Sequence, residues 1–310
     1  MKIFNSIDEI KNVEQTVIAL GNFDGVHKGH IELIKRTVED AKDTSVKSAV
    51  FTFSNHPRNF LAGKNVIKNI ITSEDKMTLI EDLGVDYIFN VPFDEKIHNM
   101  EPIHFINDLV LEKMNAQVLY CGFNYHYGKD AAGSTETLIQ TAEYQGFEVN
   151  VLEPFIINGH LVSSTLIRSL IAEGKVNECA QYLGRYYFTR GTVKVGNQIG
   201  RVIGFPTTNI IIDDTMVWPS HGVYITNCYY EGKKYNAVTN VGIRPTIGDN
   251  RKVVETHMFD FDKSIYEQEI KVEFLEKIRD EKKFKDKEEL KYRIGKDKEI
   301  AEEYHKNAQK

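Results

Sequence analysis

The chain has only three cysteines in 310 residues, Cys121, Cys179 and Cys228. They are scattered and unpaired by spacing. That excludes a disulfide framework and a cysteine metal site, and leaves small buried apolar residues or idle thiols. No apolar run approaches the roughly 18 residues of a membrane span. The start, Met1 to Glu9, has no apolar core followed by a small-residue cleavage site. The protein is therefore expected in the cytoplasm, with no membrane partner. Positive charge is not in excess: Lys and Arg number 39 against 45 Asp and Glu, a formal net charge of −6. This argues against a general nucleic-acid binder. It leaves an anionic substrate open, because a site is set by local groups and not by the total. Two nucleotide fingerprints are also missing. No G-x-G-x-x-G follows the first candidate strand. Gly122 to Lys129 fails as a P-loop, because Gly128-Lys129 is followed by Asp130 and the first glycine is one residue too far away.

What is present is a length comfortable for two domains, with 41% hydrophobic and 27% charged residues, as in soluble globular proteins. One stretch organises the chain: Leu20-Gly21-Asn22-Phe23-Asp24-Gly25-Val26-His27-Lys28-Gly29-His30. It joins an apolar run, Thr16 to Leu20, to a helical pattern of Ile31, Leu33, Ile34, Val38 and Ala41. An open α/β sheet places ligands at such a strand-to-helix turn, where free N–H groups and the helix dipole favour phosphate. Gly21 and Gly25 leave room for backbone to approach a ligand. His27 and His30 share a helix face, and such a pair can hydrogen-bond phosphate oxygens and stabilise developing charge. A metal pair would need a third ligand nearby, which is missing. Two plain surface histidines are the other reading. The pattern Gly-x-Phe-Asp-Gly-x-His-x-Gly-His resembles the nucleotide-binding signature of the nucleotidyltransferase superfamily. Its Phe-Asp-Gly form resembles bacterial FAD synthetases.

Strand-like and helix-like segments alternate as far as Leu152. The strand candidates are Thr16–Leu20, Lys47–Phe53, Asp86–Val91, Gln117–Cys121 and Phe147–Leu152. The helix candidates are Lys28–Lys42, Ser73–Leu83 with Ser73 as N-cap, Pro102–Met114 and Ser134–Gln145. The alternation predicts an α/β, Rossmann-like domain with a mostly parallel sheet. Three further stretches could carry chemistry. Thr52-Phe53-Ser54-Asn55-His56-Pro57-Arg58 is either a strand-ending turn or a nucleotide-side loop centred on His56. Gly122-Phe123-Asn124-Tyr125-His126-Tyr127-Gly128 follows the fourth strand and offers Asn124. Val162-Ser163-Ser164-Thr165-Leu166-Ile167-Arg168 opens a helix. Its three hydroxyls exceed what capping needs, and with Arg168 they suit a triphosphate.

Leu183 to Tyr187 reads as the linker. After it come short Val/Ile/Thr/Tyr-rich runs: Phe188–Lys194, Asn209–Ile212, Gly222–Tyr230, Tyr235–Val241, Val253–Phe259 and Glu269–Leu275. These predict a six-stranded antiparallel barrel, with one or two amphipathic helices after Glu276. Gly191-Thr192-Val193, Gly196, Gly200-Arg201 and Gly204-Phe205-Pro206-Thr207-Thr208-Asn209 are either a flexible hairpin or a loop whose backbone wraps a nucleotide. Thr207 and Asn209 would present hard oxygens on one strand face, which suits Mg²⁺ held with substrate phosphates. Glu255 is an acid in an otherwise apolar strand, where a solvent-facing role is the common one. A kinase acting on an alcohol needs such a carboxylate.

These segments resemble riboflavin kinases in order: Gly-Phe-Pro-Thr-x-Asn, then Pro219-x-x-Gly222-Val223-Tyr224, then Asn240-Val241-Gly242-x-Arg244-Pro245-Thr246, then Val254-Glu255-x-His257-x-x-Asp260-Phe261. Glu267 stands where that family usually has Gly, and Arg279 matches its flavin-side helix. The second N-terminal signature, Ser163 to Arg168, matches the nucleotidyltransferases. The resemblance over nearly the whole chain is to bacterial bifunctional riboflavin kinases/FAD synthetases. It implies an FMN adenylyltransferase (FAD synthetase) domain over 1–184 and a riboflavin kinase domain over 185–310. It implies two reactions: riboflavin with ATP to FMN, then FMN with ATP to FAD and pyrophosphate. The implied catalytic residues are His27, His30, Arg168 and Glu255. ATP/FMN contacts are implied at Gly21, Asn22, Phe23, Asp24, His56, Asn124, Ser163, Ser164 and Thr165. In the barrel, ATP/flavin contacts are implied at Gly191, Gly196, Gly200, Arg201, Gly204, Phe205, Pro206, Tyr224 and Arg279. Mg²⁺ is implied as cofactor, at Thr207 and Asn209. The partners are ATP, riboflavin, FMN and FAD, with no nucleic acid, in a monomer or weak homo-oligomer. A single-activity adenylyltransferase with a degenerate barrel, or a flavin sensor without turnover, would be expected to lose Thr207, Asn209 or Glu255, and all three are intact.

Overall fold

A computed structural model describes residues 1–195, 204–246, 249–282 and 284–308. Gly196, Gly200 and Arg201 lie outside the described residues. The chain divides into two compact units, Met1–Ser164 and Thr165–Lys310.

The first unit is built on a parallel sheet in the order Lys2–Phe4, Tyr87–Val91, Lys47–Phe53, Thr16–Leu20, Ala116–Gly122, Glu148–Leu152. All five residues of Thr16–Leu20 are buried, as a central parallel strand covered on both faces requires. Its one hydroxyl, on Thr16, donates to the Met114 carbonyl at 2.9 Å. The chain lays successive strands to one side of Thr16–Leu20 and then crosses to Ala116–Gly122 on the other. That reversal opens a crevice at the carboxyl ends of these two strands, where ligands bind in open α/β sheets. The turn beginning at Gly21 and the turn beginning at Gly122 both emerge there.

Several expectations are corrected. Lys2–Phe4 forms an edge strand too short to show a period. Pro57–Ala62 forms a short helix. Thr72, not Ser73, caps the next helix, its hydroxyl accepting from the Asp75 N–H, and that helix ends at Glu81. The segment expected as one α-helix over Pro102–Met114 is an α-turn, Pro102–His104, followed by a π-helix, Phe105–Lys113. The Met114 N–H accordingly reaches back five residues to the Leu109 carbonyl. Its apolar residues, Phe105, Ile106, Leu109 and Val110, are spaced so that either helix buries them, so the pattern could not tell the two apart.

The second unit begins with the helices Ser164–Glu173 and Val176–Leu183, the first starting at the unit boundary. A closed antiparallel barrel follows, in the order Tyr187–Lys194, Thr208–Ile211, Asp249–Met258, Lys233–Thr246, Gly222–Tyr230, Glu269–Arg279 and back to the first. The expected α/β half and six-stranded barrel with a terminal helix are both present. Closure leaves no sheet edge open to pairing. The interior is apolar around Tyr187, Tyr224, Val254 and Phe274. A chain of buried hydroxyls, Thr226 to Thr239 at 2.8 Å and Thr239 to Thr256 at 2.9 Å, crosses three strands with each polar group satisfied. The last strand runs on through Arg279, where a helix was expected. The terminal helix starts only at Lys287, where Asp286 accepts from the Glu289 N–H.

Candidate functional site

In the first unit, the turn after Leu20 is tightly wound. Phe23 and Val26 have φ of 50° and 38°, and Gly25 has 86°. Two non-glycine residues in the left-handed region mark a backbone held by its surroundings. A Cβ on Gly21 would stand 2.9 Å from the Phe23 ring, so only glycine fits. Phe23 is buried and meets the His30 ring edge-on at 5.1 Å. His27 caps the helix Lys28–Asp43, its Nδ1 accepting from the His30 N–H at 3.2 Å. In the neutral His27 ring the hydrogen therefore sits on Nε2, as a donor. The two imidazoles stack with centroids 3.5 Å apart.

Asp24 is buried, and its carboxylate accepts from the Ile70 N–H at 2.9 Å. It ties the turn to the segment before the helix Ser73–Glu81. Its carbonyl accepts from the Ser164 hydroxyl at 2.9 Å, which ties this turn to the last residue of the same unit. Thr165 and Arg168 follow on the helix Ser164–Glu173, in the second unit, exposed and half-buried respectively. His56 caps Pro57–Ala62, its Nδ1 accepting from the Arg58 N–H at 3.2 Å. Asn124 is exposed in the Gly122 turn, and its carbonyl accepts from His126 Nδ1 at 3.0 Å.

Sequence reasoning missed Lys76. It is buried, and its ammonium donates to the Phe53 carbonyl at 2.6 Å, the Thr52 hydroxyl at 3.1 Å and the Asn22 carbonyl at 3.4 Å. Burial pushes its pKa down to about 8, against the attraction of Asp24. Lys76 thus fastens the Asn22 backbone to the end of the neighbouring strand. A lysine in the first turns of a polar helix start carries no signal of this.

In the barrel, register does the assembly. Asn209 lies opposite Glu255, and Glu255 opposite Asn240. The row continues through Val223 to Arg279. Directly paired residues share a sheet face. Val254 and Thr256 are fully buried in the interior, so Glu255 and its row face outward. Asn209 is nonetheless only 6% exposed. Gly191 packs so closely that a Cβ would meet Ile210 at 3.1 Å. Gly204, with φ of 91°, turns into Phe205, half-buried Thr207 and Asn209. Tyr224, expected beside the ligand, is wholly buried inside the barrel, with its hydroxyl donating to the Ser220 carbonyl and burial pushing its pKa up to about 12. Arg279, on the outward row, is paired with Asp297 of the terminal helix. Cys121, Cys179 and Cys228 are buried, and burial pushes each thiol up to about 12. They are apolar fillers with no thiolate chemistry near neutral pH.

An α/β unit with a histidine-bearing turn at its topological switch point, followed by a closed barrel with an acid–amide row, defines a two-domain nucleotide-using transferase. The FAD synthetase family model matches residues 9–166 and the riboflavin kinase model residues 183–305. A Bacillus subtilis bifunctional riboflavin kinase/FMN adenylyltransferase is 34% identical over 300 residues, covering 96% of this chain and 94% of its own. Relatives of the same description from Haemophilus influenzae and Escherichia coli K12 are 32% and 30% identical, each covering 98% of this chain. A crystal structure of a Streptococcus pneumoniae protein named as a macrolide-efflux protein is also similar, with a TM-score of 0.88 and 29% identity over 97% of this chain and 98% of its own. That name belongs to the Streptococcus protein. Among the described residues here, no helix is long and apolar enough to cross a membrane. The chain belongs to the bifunctional riboflavin kinase/FMN adenylyltransferase family, and is an enzyme of flavin cofactor biosynthesis.

Proposed function

We propose that the barrel transfers the γ-phosphoryl of ATP to the 5′-hydroxyl of riboflavin, and that the N-terminal unit joins FMN to the AMP moiety of a second ATP. The observation that carries the kinase assignment is the row Asn209, Glu255, Asn240 across three neighbouring strands. It sets a carboxylate beside an amide on one outward face. Glu255 takes the proton of the riboflavin hydroxyl as its oxygen attacks the γ-phosphorus. Thr207 and Asn209 offer a hydroxyl and an amide oxygen, hard donors that fit Mg²⁺. Among the described residues no group of three His, Cys, Asp or Glu could hold a metal by itself. When bound, Mg²⁺ supplies charge neutralisation on those phosphates. Gly191, Gly204, Phe205 and Pro206 shape the backbone around the ATP. Tyr224 supports the barrel from inside, and Arg279 from the outer row through Asp297.

In the N-terminal unit the FMN phosphate attacks the α-phosphorus of ATP and pyrophosphate leaves. His27 and His30, at the start of Lys28–Asp43, donate to phosphate oxygens and stabilise the charge that develops. Gly21, Asn22 and Phe23 bring backbone close to the nucleotide, with Asp24 bracing the turn. His56 follows Lys47–Phe53 and Asn124 follows Ala116–Gly122, the strands on either side of Thr16–Leu20, for the nucleotide and flavin. Ser163, Ser164, Thr165 and Arg168 take the triphosphate. Neither reaction needs a covalent enzyme intermediate, so positioning and charge stabilisation supply the catalysis. The functional halves divide near 184/185, a reading supported by the riboflavin kinase model starting at residue 183. The protein works on small molecules in the cytoplasm, as a monomer or weak homo-oligomer, with no nucleic acid or membrane partner.

Incubation with riboflavin, ATP and Mg²⁺, followed by chromatographic separation of flavins, tests both activities together. FMN and then FAD should form. FAD from added FMN with no FMN from riboflavin would overturn the kinase half.

A further inference from the structure

His257 sits two residues beyond Glu255 on the same outward face of the same strand, where alternate residues point one way. It is 8% exposed. Its Nδ1 lies 2.8 Å from the Pro206 carbonyl oxygen. A carbonyl only accepts, so Nδ1 carries the hydrogen and donates. The ring also packs edge-on against Phe205 at 5.5 Å. Phe205 in turn reaches the terminal helix, where a Cβ on Gly295 would stand 4.0 Å from its Cζ. The segment Phe205–Pro206 is therefore held by His257, through its backbone at the Pro206 carbonyl and through the Phe205 ring. The very next residues are Thr207 and, within the paired strand, Asn209. Thr208, which pairs with Thr256, opens the strand, so Phe205 to Thr207 stand just before it, after the turn at Gly204.

We propose that His257 is a positioning residue for riboflavin phosphorylation: its Nδ1–H fixes the Pro206 carbonyl and so aims Thr207 and Asn209 at the ATP phosphates, on the strand that carries Glu255. This rests on the reading of Thr207 and Asn209 as the Mg²⁺·ATP side of the kinase. One strand then sets both the base and the phosphate loop, which keeps the two at a constant separation. His257 touches no reacting atom.

The test compares His257→Asn, which keeps an N–H donor close to the Nδ1 position, with His257→Phe, which keeps the ring and removes the donor. The full-length protein is used, with KM for Mg²⁺·ATP, KM for riboflavin and kcat measured for FMN formation. FAD formation from added FMN in the same preparation reports whether the rest of the chain is intact. His257→Phe should raise the KM for Mg²⁺·ATP about tenfold, the equivalent of one lost hydrogen bond, with the riboflavin KM unchanged. His257→Asn should stay within about threefold of wild type. Equal losses in the two variants, parallel rises in both KM values, or an unchanged ATP KM in His257→Phe overturn the proposal. If His257→Phe does not fold, His257→Leu read against His257→Asn gives the same comparison. Asn209→Ala separates the two levels. If it leaves the ATP KM unchanged, the Mg²⁺·ATP reading itself fails. If it raises that KM and His257→Phe does not, only the role of His257 fails.

Discussion

The guanidinium of Arg279 grips the Asp297 carboxylate with two nitrogens, Nε at 3.0 Å from Oδ1 and Nη2 at 2.7 Å from Oδ2. Arg279 ends the last barrel strand, and Asp297 lies mid-way along the terminal helix with a side chain only 3% exposed. The pair bolts that helix to the end of the Asn209–Glu255–Asn240 row. Asp297→Ala leaves a largely buried guanidinium without its counter-charge and should cost about 3 kcal/mol, whereas Arg279→Met with Asp297→Leu should cost much less. Urea unfolding of the two variants decides this. Equal losses would mean the pair matters for its packing alone.

The proposed role of the stacked histidines is to stabilise charge in the adenylyl step. His27→Ala with His30→Ala should slow FAD formation by at least about 10²-fold, by analogy with lost transition-state donors. FMN should then accumulate from riboflavin. The His27 substitution also removes a helix cap, worth roughly 0.5–2 kcal/mol, so a modest fall in Tm is expected alongside. Undiminished FAD formation sinks the role given to these rings.

Glu255→Gln keeps size and a hydrogen-bond acceptor but removes the base. FMN formation from riboflavin should fall about 10²- to 10⁴-fold, while FAD formation from supplied FMN continues. If both fall together, Glu255 is a folding residue. If neither falls, Asp260 is the next carboxylate to test.

Lys76 makes the stability of the chain depend on alkaline pH. Burial lowers its pKa from the ordinary 10.5 to about 8 in the folded state. The folded state therefore releases the proton first, and the unfolded state holds more protons between these values. Stability from this group rises as pH increases from about 8 toward 10.5, by about 3 kcal/mol over the whole window. The difference in unfolding free energy between wild type and Lys76→Met should move in favour of wild type between pH 7 and pH 10. A difference that stays constant would show that Lys76 titrates as an ordinary surface lysine.

Two fragments test the proposed boundary. Both 185–310 and 165–310 should make FMN. The longer should be the more stable, because the helix Val176–Leu183 buries Val176, Cys179, Tyr182 and Leu183 and packs on the strands Tyr187–Lys194 and Glu269–Arg279. Burial of such side chains contributes roughly 1.5–3 kcal/mol each as an upper figure. An inactive 165–310 fragment beside an active full-length enzyme would count against autonomy of the kinase half.

The sequence alone was enough for the two-part architecture, the buried cysteines and the turn from Gly21 to His30. Each is a local matter: hydrophobic period, turn chemistry and strand-to-helix spacing act over a dozen residues. It was not enough for Lys76, which reads as a solvated lysine until the strand Lys47–Phe53 places Phe53 and Thr52 against it. Nor could spacing show that Asn240 stands beside Glu255, that His257 holds Pro206, or that Arg279 is spent on Asp297. Those relationships join residues from 15 to 51 positions apart. They depend on strand register and on which elements become neighbours. A one-residue slip in register would send every side chain of a strand to the opposite face. Local pattern cannot choose among registers that preserve its own alternation. Closure of the barrel and packing of the terminal helix make that choice.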